Sequence, residues 1–226
     1  MKKILVVLIF TLIISCGGPV QTLDTTSKRT VKFLALGDSY TIGESVPVEE
    51  RWPHQLADML HDDFSVEVSI IAKTGWTTGE LWEGIQIADP QGPYDMVSLL
   101  IGVNNQYRGN DINEYRDEFI FLLEKAVEYA GGNPNHVFVL SIPDWGVTPF
   151  ASDRNRVQIA QEIDAFNRVN FEESKNLGVH YVDVTPVSRG ALNDISLVAP
   201  DGLHPSGKMY ADWAKLALPI ARLILE

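Results

Sequence analysis

Ser39 sits in the segment Gly37-Asp38-Ser39-Tyr40, directly after the short apolar run Lys32–Leu36. A serine at a strand-to-helix turn projects its hydroxyl at the sheet edge. The backbone N–H groups and the helix N-terminus there face the same space and suit a developing negative charge. The hydroxyl becomes a useful nucleophile when an adjacent base takes its proton. His204, in Asp201-Gly202-Leu203-His204-Pro205-Ser206, is the residue type for that task, because imidazole titrates near neutral pH. Asp201 lies three residues earlier, so both side chains can share one local turn. The carboxylate can then fix the tautomer and orientation of the ring. Each segment also has a purely structural reading. Gly37 can make a turn with Ser39 capping the next helix, and Pro205-Ser206 can open the last helix.

Two further segments offer donors for an oxyanion. In Gly102-Val103-Asn104-Asn105, an asparagine amide is a neutral donor that leaves the base uncharged. In Thr74-Gly75-Trp76-Thr77-Thr78, glycine lets the backbone approach a substrate closely and presents an unshielded N–H, with Gly79 a competing glycine. Glycine and asparagine are also common turn formers, so both segments can be plain strand–helix turns. Trp76, Tyr107, Trp145 and Phe150 follow strands or lie in the longest loop. They can line an acyl or sugar pocket, or cover the core. Asp144 reads as loop surface.

The elements that must position these residues alternate along the chain. Strand-like runs fall at Lys32–Leu36, Val66–Ala72, Met96–Ile101, His136–Ser141 and Val179–Val184. Helix-like segments fall at Trp52–Leu60, Thr78–Ile87 (Thr78 as N-cap), Asp111–Ala130, Arg154–Leu177 and Ser206–Leu225. Ile142–Asp153 is the longest irregular stretch, and Pro143 and Pro149 break any regular element there. Five apolar strands alternating with helices indicate a parallel sheet covered on both faces. Such sheets place their site beyond the carboxyl ends of the strands. All four segments above follow strands.

The chain has 226 residues, and 30 Asp and Glu outnumber 18 Lys and Arg. That balance, with no basic cluster, argues against a nucleic-acid partner. His54, His61, His136 and His180 fall in different elements without metal-ligand spacing, so no metal is expected. A GxSxG elbow, a Walker A loop and a GxGxxG loop are missing from the sequence, and no cofactor is implied. Residues 1–15 read as a signal peptide, with Lys2 and Lys3 before the apolar run Ile4–Ile14. Ile13-Ile14-Ser15-Cys16 resembles a bacterial lipobox. That implies lipidation of Cys16, the single cysteine, and a membrane partner through the lipid. Residues 16–30 then form a flexible tether and residues 31–226 one domain, held extracytoplasmically at a cell envelope.

Together the four segments resemble the SGNH hydrolases, also called the GDSL esterase/lipase family. They match in order from Gly37 to His204, nearly the whole domain. The resemblance implies an α/β fold: a flavodoxin-like three-layer α/β/α sandwich on a five-stranded parallel sheet. It implies Ser39 as nucleophile, His204 as base and Asp201 as orienting acid. The oxyanion hole would come from the Ser39 and Gly75 N–H groups and the Asn104 amide. Asn105 departs from the Asp often found there in the family. The implied activity is hydrolysis of carboxylic esters, with short acyl or acetyl groups that glycans can carry, through an acyl-enzyme. Lysophospholipase or thioesterase-type lipid deacylation is the alternative, as is a non-catalytic carbohydrate-binding lipoprotein on the same fold.

Overall fold

The five apolar runs pair side by side into one parallel sheet, ordered β2-β1-β3-β4-β5. The strands are β1 (Arg29–Asp38), β2 (Phe64–Lys73), β3 (Met96–Leu100), β4 (Val137–Leu140) and β5 (His180–Val182). The structure, a computed structural model, describes residues 28–226. The expected leader, Cys16 and most of the tether lie outside the described residues. Every residue of β3 and β4 is buried, as strands covered on both faces require. β2, at the sheet edge, instead alternates half-buried and exposed positions over its first six residues.

Helices cover both faces. α2 (Trp52–Met59) and the short α7 (Thr185–Arg189) pack on α8 (Gly207–Leu225), while α3 (Thr78–Ala88), α5 (Ile112–Tyr129) and α6 (Arg156–Leu177) pack in sequence on one another. The core joins the layers through rings such as Phe33, whose centroid lies 6.0 Å from both Trp52 and Phe138. Asp111 and Ser206 cap α5 and α8 as their sequence positions suggest. Among the described residues no helix is long and apolar enough to cross a membrane.

Several boundaries differ from expectation, three of them for a visible local cause. β1 starts at Arg29, two residues into the expected tether, because it pairs with β2 over its whole length. Arg29 also donates to the Leu225 carbonyl at 2.9 Å and to Asp95 at 3.1 Å. α3 is capped by Thr77, not Thr78: Thr77 and Glu80 form a reciprocal capping box. α6 starts at Arg156 rather than Arg154, since the Asn155 side chain accepts from the Gln158 N–H.

The strand order places the site. The chain leaves β1 for β2 on one side, then crosses back to β3 on the other. The crevice at such a switch point opens beyond the carboxyl ends of β1 and β3. Ser39 and Asn104 each begin or enter the short helix that follows one of those two strands.

Candidate active site

β1 runs directly into a one-turn helix, α1 (Ser39–Ile42), with Ser39 as its first residue. Asp38 caps that turn, its Oδ1 accepting from the Tyr40 N–H at 3.0 Å. The capping role open to Ser39 in the sequence therefore belongs to Asp38, and the Ser39 hydroxyl faces a cavity. Gly37 is required by packing: a Cβ there would lie 2.4 Å from the Leu100 carbonyl oxygen and 2.2 Å from Thr41 Oγ1. Ser39, Gly75, Asn104 and His204 line one cavity of about 160 Å³.

His204 reaches this cavity on a turn closed by three backbone bonds. The Ala199 N–H donates to the His204 carbonyl at 2.7 Å, Gly202 to Ala199 at 3.0 Å, and Ser206 to Leu197 at 2.9 Å. Gly202 takes φ +76°, which lets the turn double back. Inside the turn His204 Nδ1 lies 2.6 Å from Asp201 Oδ2. Asp201 Oδ1 accepts the Leu203 and His204 amides at 2.9 and 3.0 Å, and Ser45 Oγ donates to Oδ2 at 2.6 Å. Partial burial works against the Asp201 charge. The bonds from Ser45, the Leu203 amide and the His204 ring and amide outweigh it and hold the carboxyl well below the usual range. The Tyr40 ring packs 5.3 Å from the imidazole and fixes its other side. Among the described residues no hydrogen bond joins Ser39 to His204; such contacts commonly tighten only when substrate binds.

The donors expected for an oxyanion lie on two loops that line the cavity. Gly75 follows β2 at φ +85°, a conformation that disfavours side chains. Arg108 Nη2 donates to its carbonyl at 2.5 Å and fixes the peptide, while its N–H has no acceptor among the described residues. The competing Gly79 lies inside α3 and does not line the cavity. Asn104, in α4 (Val103–Tyr107), donates through Nδ2 to the Trp76 carbonyl at 2.9 Å, and the same amide lies 3.4 Å from Asp38 Oδ2. One of its N–H bonds is thus committed to Trp76 and the other is held only weakly. Asn104→Ala is expected to lower kcat for an activated ester by about 10²–10³-fold, with a smaller change in KM. Steady-state kinetics with p-nitrophenyl acetate checks this, and an unchanged kcat would remove Asn104 from the oxyanion site.

Asn105, set aside in the sequence as a departure, turns out to position both loops. It is fully buried, accepts from the Thr78 N–H at 3.1 Å and donates to Thr78 Oγ1 at 2.7 Å. This ties the turn carrying Asn104 to the helix that follows Gly75.

Residues 35–211 match the sequence pattern of the GDSL-like lipase/acylhydrolase family. The chain belongs to this family. An arylesterase from Vibrio mimicus is 36% identical over 90 residues, which are 38% of this chain and 44% of the arylesterase. The chain therefore aligns with less than half the length of that relative. Two solved structures are similar at low identity. The psychrotrophic esterase EstA from Pseudoalteromonas superposes with a TM-score of 0.66 at 16% identity, covering 86% of this chain and 98% of EstA. The acetylxylan esterase Axe2 from Geobacillus stearothermophilus gives 0.64 at 19%, covering 86% and 95%. At that identity the two show the fold, an SGNH hydrolase fold.

Much of the rest of this SGNH cavity is aromatic, with Val103 and Leu203 among the other lining residues. Trp145, Tyr107 and Phe150 line it, Trp145 lying 5.3 Å from Tyr107 and 5.9 Å from Phe150 between ring centroids. Trp76 does not join them; its ring packs over Gly84 of α3, where a Cβ would meet it at 2.0 Å. Asp144 is not loop surface. It is 2% exposed, accepts from the Gly146 N–H at 2.9 Å and pairs with Arg189 Nε at 2.9 Å. It anchors the loop that holds Trp145. Among the described residues no three His, Cys, Asp or Glu side chains are grouped to share a metal ion.

Asp38 carries a stability consequence. Burial pushes its carboxyl up to about 7, against the opposing bonds from the Tyr40 and Asp38 amides and Asn104. Between about pH 4 and 7 the native state then holds a proton that the unfolded state has lost. Stability should fall as pH rises through that window, by at most about 1.4 kcal/mol per pH unit from this group. Asp38→Asn keeps an oxygen for the Tyr40 N–H and carries no charge. The variant is expected to lose that slope and to be the more stable protein above pH 7. Urea unfolding from pH 4 to 8 tests this; an unchanged slope would assign it to other groups.

Proposed function

We propose that the chain is a serine-dependent carboxylic ester hydrolase acting on short acyl groups. The convergence of Ser39, the His204–Asp201 pair, Gly75 and Asn104 on one cavity carries this reading. His204 Nε2 takes the Ser39 proton as Oγ bonds to the ester carbonyl carbon. The oxyanion is met by the Ser39 and Gly75 amides and the Asn104 side chain. The tetrahedral species collapses, the C–O bond to the alcohol breaks, and His204 hands the proton to that oxygen. Water then attacks the acyl-enzyme by the same route, releasing the acid and restoring Ser39.

A cavity of about 160 Å³ is small beside the ~300 Å³ or more typical of drug-sized ligands, which favours acetyl and similar groups over long chains. The naming of relatives as an arylesterase and an acetylxylan esterase is consistent with that size. We further place the enzyme outside the cytoplasm, tethered through a lipid on Cys16, on the strength of the Ile13–Cys16 sequence. Hydrolysis of p-nitrophenyl acetate, butyrate and octanoate tests the acyl preference. Acetate is expected to exceed octanoate in kcat/KM by about tenfold or more, since longer chains must leave the cavity. A rise toward octanoate would instead support lipid deacylation.

A further inference from the structure

Beside the Ser39 cavity lies a larger groove of about 590 Å³, and Tyr107 and Trp145 line both. The two hollows are therefore neighbouring parts of one trough with an aromatic partition. The partition is fixed: Trp145 Nε1 donates to Gln106 Oε1 at 2.8 Å. From there a hydrogen-bonded chain runs into the groove. Gln106 Nε2 donates to Glu162 Oε2 at 2.7 Å, and Gln158 Nε2 donates to Glu162 Oε1 at 2.8 Å. Asn155, at the start of α6, and Arg154 add an amide and a guanidinium to the rim.

The chemistry of this wall selects its ligand. Two arginines, Arg108 and Arg154, and two acids, Asp153 and Glu162, share its lining, so neither a polyanion nor a cation is favoured. Ile159 is the one aliphatic residue lining it, so a long acyl chain would bury polar groups without partners there. Planar amides, a carboxylate with lone pairs to spare, and aromatic rings suit hydroxyls that both donate and accept, on a ring with an apolar C–H face. We infer that this groove binds the alcohol portion of the substrate, an uncharged carbohydrate, while the short acyl group enters the Ser39 cavity. The inference rests on the ester-hydrolase reading and deepens it, by naming the substrate as an acylated oligosaccharide.

The test uses the full-length protein and the variant Arg154→Ala/Gln158→Ala. Both side chains are exposed, and the Arg154 pair with Asp153 is loose at 3.8 Å, so folding should be unaffected. Asn155 is left in place because it caps α6. The first readout is the ratio of kcat/KM for partially O-acetylated xylotetraose to that for p-nitrophenyl acetate. The double variant is expected to lower this ratio about tenfold, the size set by losing two hydrogen-bonding side chains. The second readout is the Kd of the same oligosaccharide for Ser39→Ala protein, expected to weaken about tenfold when the groove substitutions are added. An unchanged ratio with unchanged Kd would overturn the groove assignment and leave Ser39-dependent p-nitrophenyl acetate turnover standing. Loss of kcat/KM on lysophosphatidylcholine alone would also overturn it, in favour of a lipid headgroup. Failure of every ester to be hydrolysed would sink the esterase reading, while the Kd comparison would still decide the groove.

Discussion

Ser39→Ala is expected to lower kcat/KM for p-nitrophenyl acetate by about 10⁴–10⁶-fold while leaving the fold intact. The structural half of this expectation follows from what holds the turn. Asp38, not Ser39, caps α1, and Gly37 makes the close approach to Leu100 and Thr41. Among the described residues the Ser39 hydroxyl makes no hydrogen bond, so removing it leaves no buried polar partner unsatisfied. Tm should therefore change by no more than a few degrees. The kinetic half follows from the proposed acyl-enzyme route, which needs Oγ: without it the remaining donors can only polarise the carbonyl for water. Adding His204→Ala to Ser39→Ala should cost little more than either alone, because base and nucleophile act as a unit. A fluorophosphonate probe should label the wild type and not the variant. Near-normal turnover by Ser39→Ala would show that another group attacks, and a large fall in Tm would make the kinetic loss uninterpretable as chemistry.

How far these residues could be placed from sequence depended on how local their reasons are. β3 and β4 read clearly because unbroken apolar runs are what a strand buried on both faces needs. α5, α6 and α8 read clearly because they are long enough for helical periodicity and end in recognisable caps such as Gly178. Ser39 stood out because it lies directly after a strand, and His204 because it follows Asp201 by three residues in a turn just ahead of the last helix. One-turn helices such as α1 and α4 carry no periodic signal, so the cap could not be assigned between Asp38 and Ser39. Asp144 looked like loop surface because its partner, Arg189, lies 45 residues away. Asn105 showed only as a departure from the family for a similar reason: its role is set by Thr78, 27 residues earlier, on a different loop. The second groove was equally invisible, since it assembles α4, the loop around Trp145 and the first turns of α6 from separate stretches. The residues that converge on the cavity were legible; the residues that hold them in register were long-range and were not.

Asp201→Asn is expected to lower kcat/KM by about 10⁴-fold while the turn stays folded. The asparagine carbonyl can still accept the Leu203 and His204 amides that Oδ1 accepts now, so the turn keeps its shape. The other oxygen is the one that matters: Oδ2 meets His204 Nδ1 at 2.6 Å and takes the Ser45 hydroxyl at 2.6 Å. Replaced by an NH₂ group, it becomes a donor facing Nδ1. The imidazole must then accept at Nδ1 and carry its proton on Nε2, the nitrogen that has to be free to take the Ser39 proton. The Ser45 hydroxyl can turn to accept from the new amide, so it offers no rescue of the tautomer. Ser45→Ala, by contrast, removes one of several bonds holding Asp201 ionised and should cost no more than about tenfold. The two variants separate an electrostatic role from a merely structural one. If the turn were only a scaffold, Asp201→Asn and Ser45→Ala would have similarly small effects on kcat/KM. An orienting carboxylate requires a gap of about three orders of magnitude between them, measured on the same ester at the same pH.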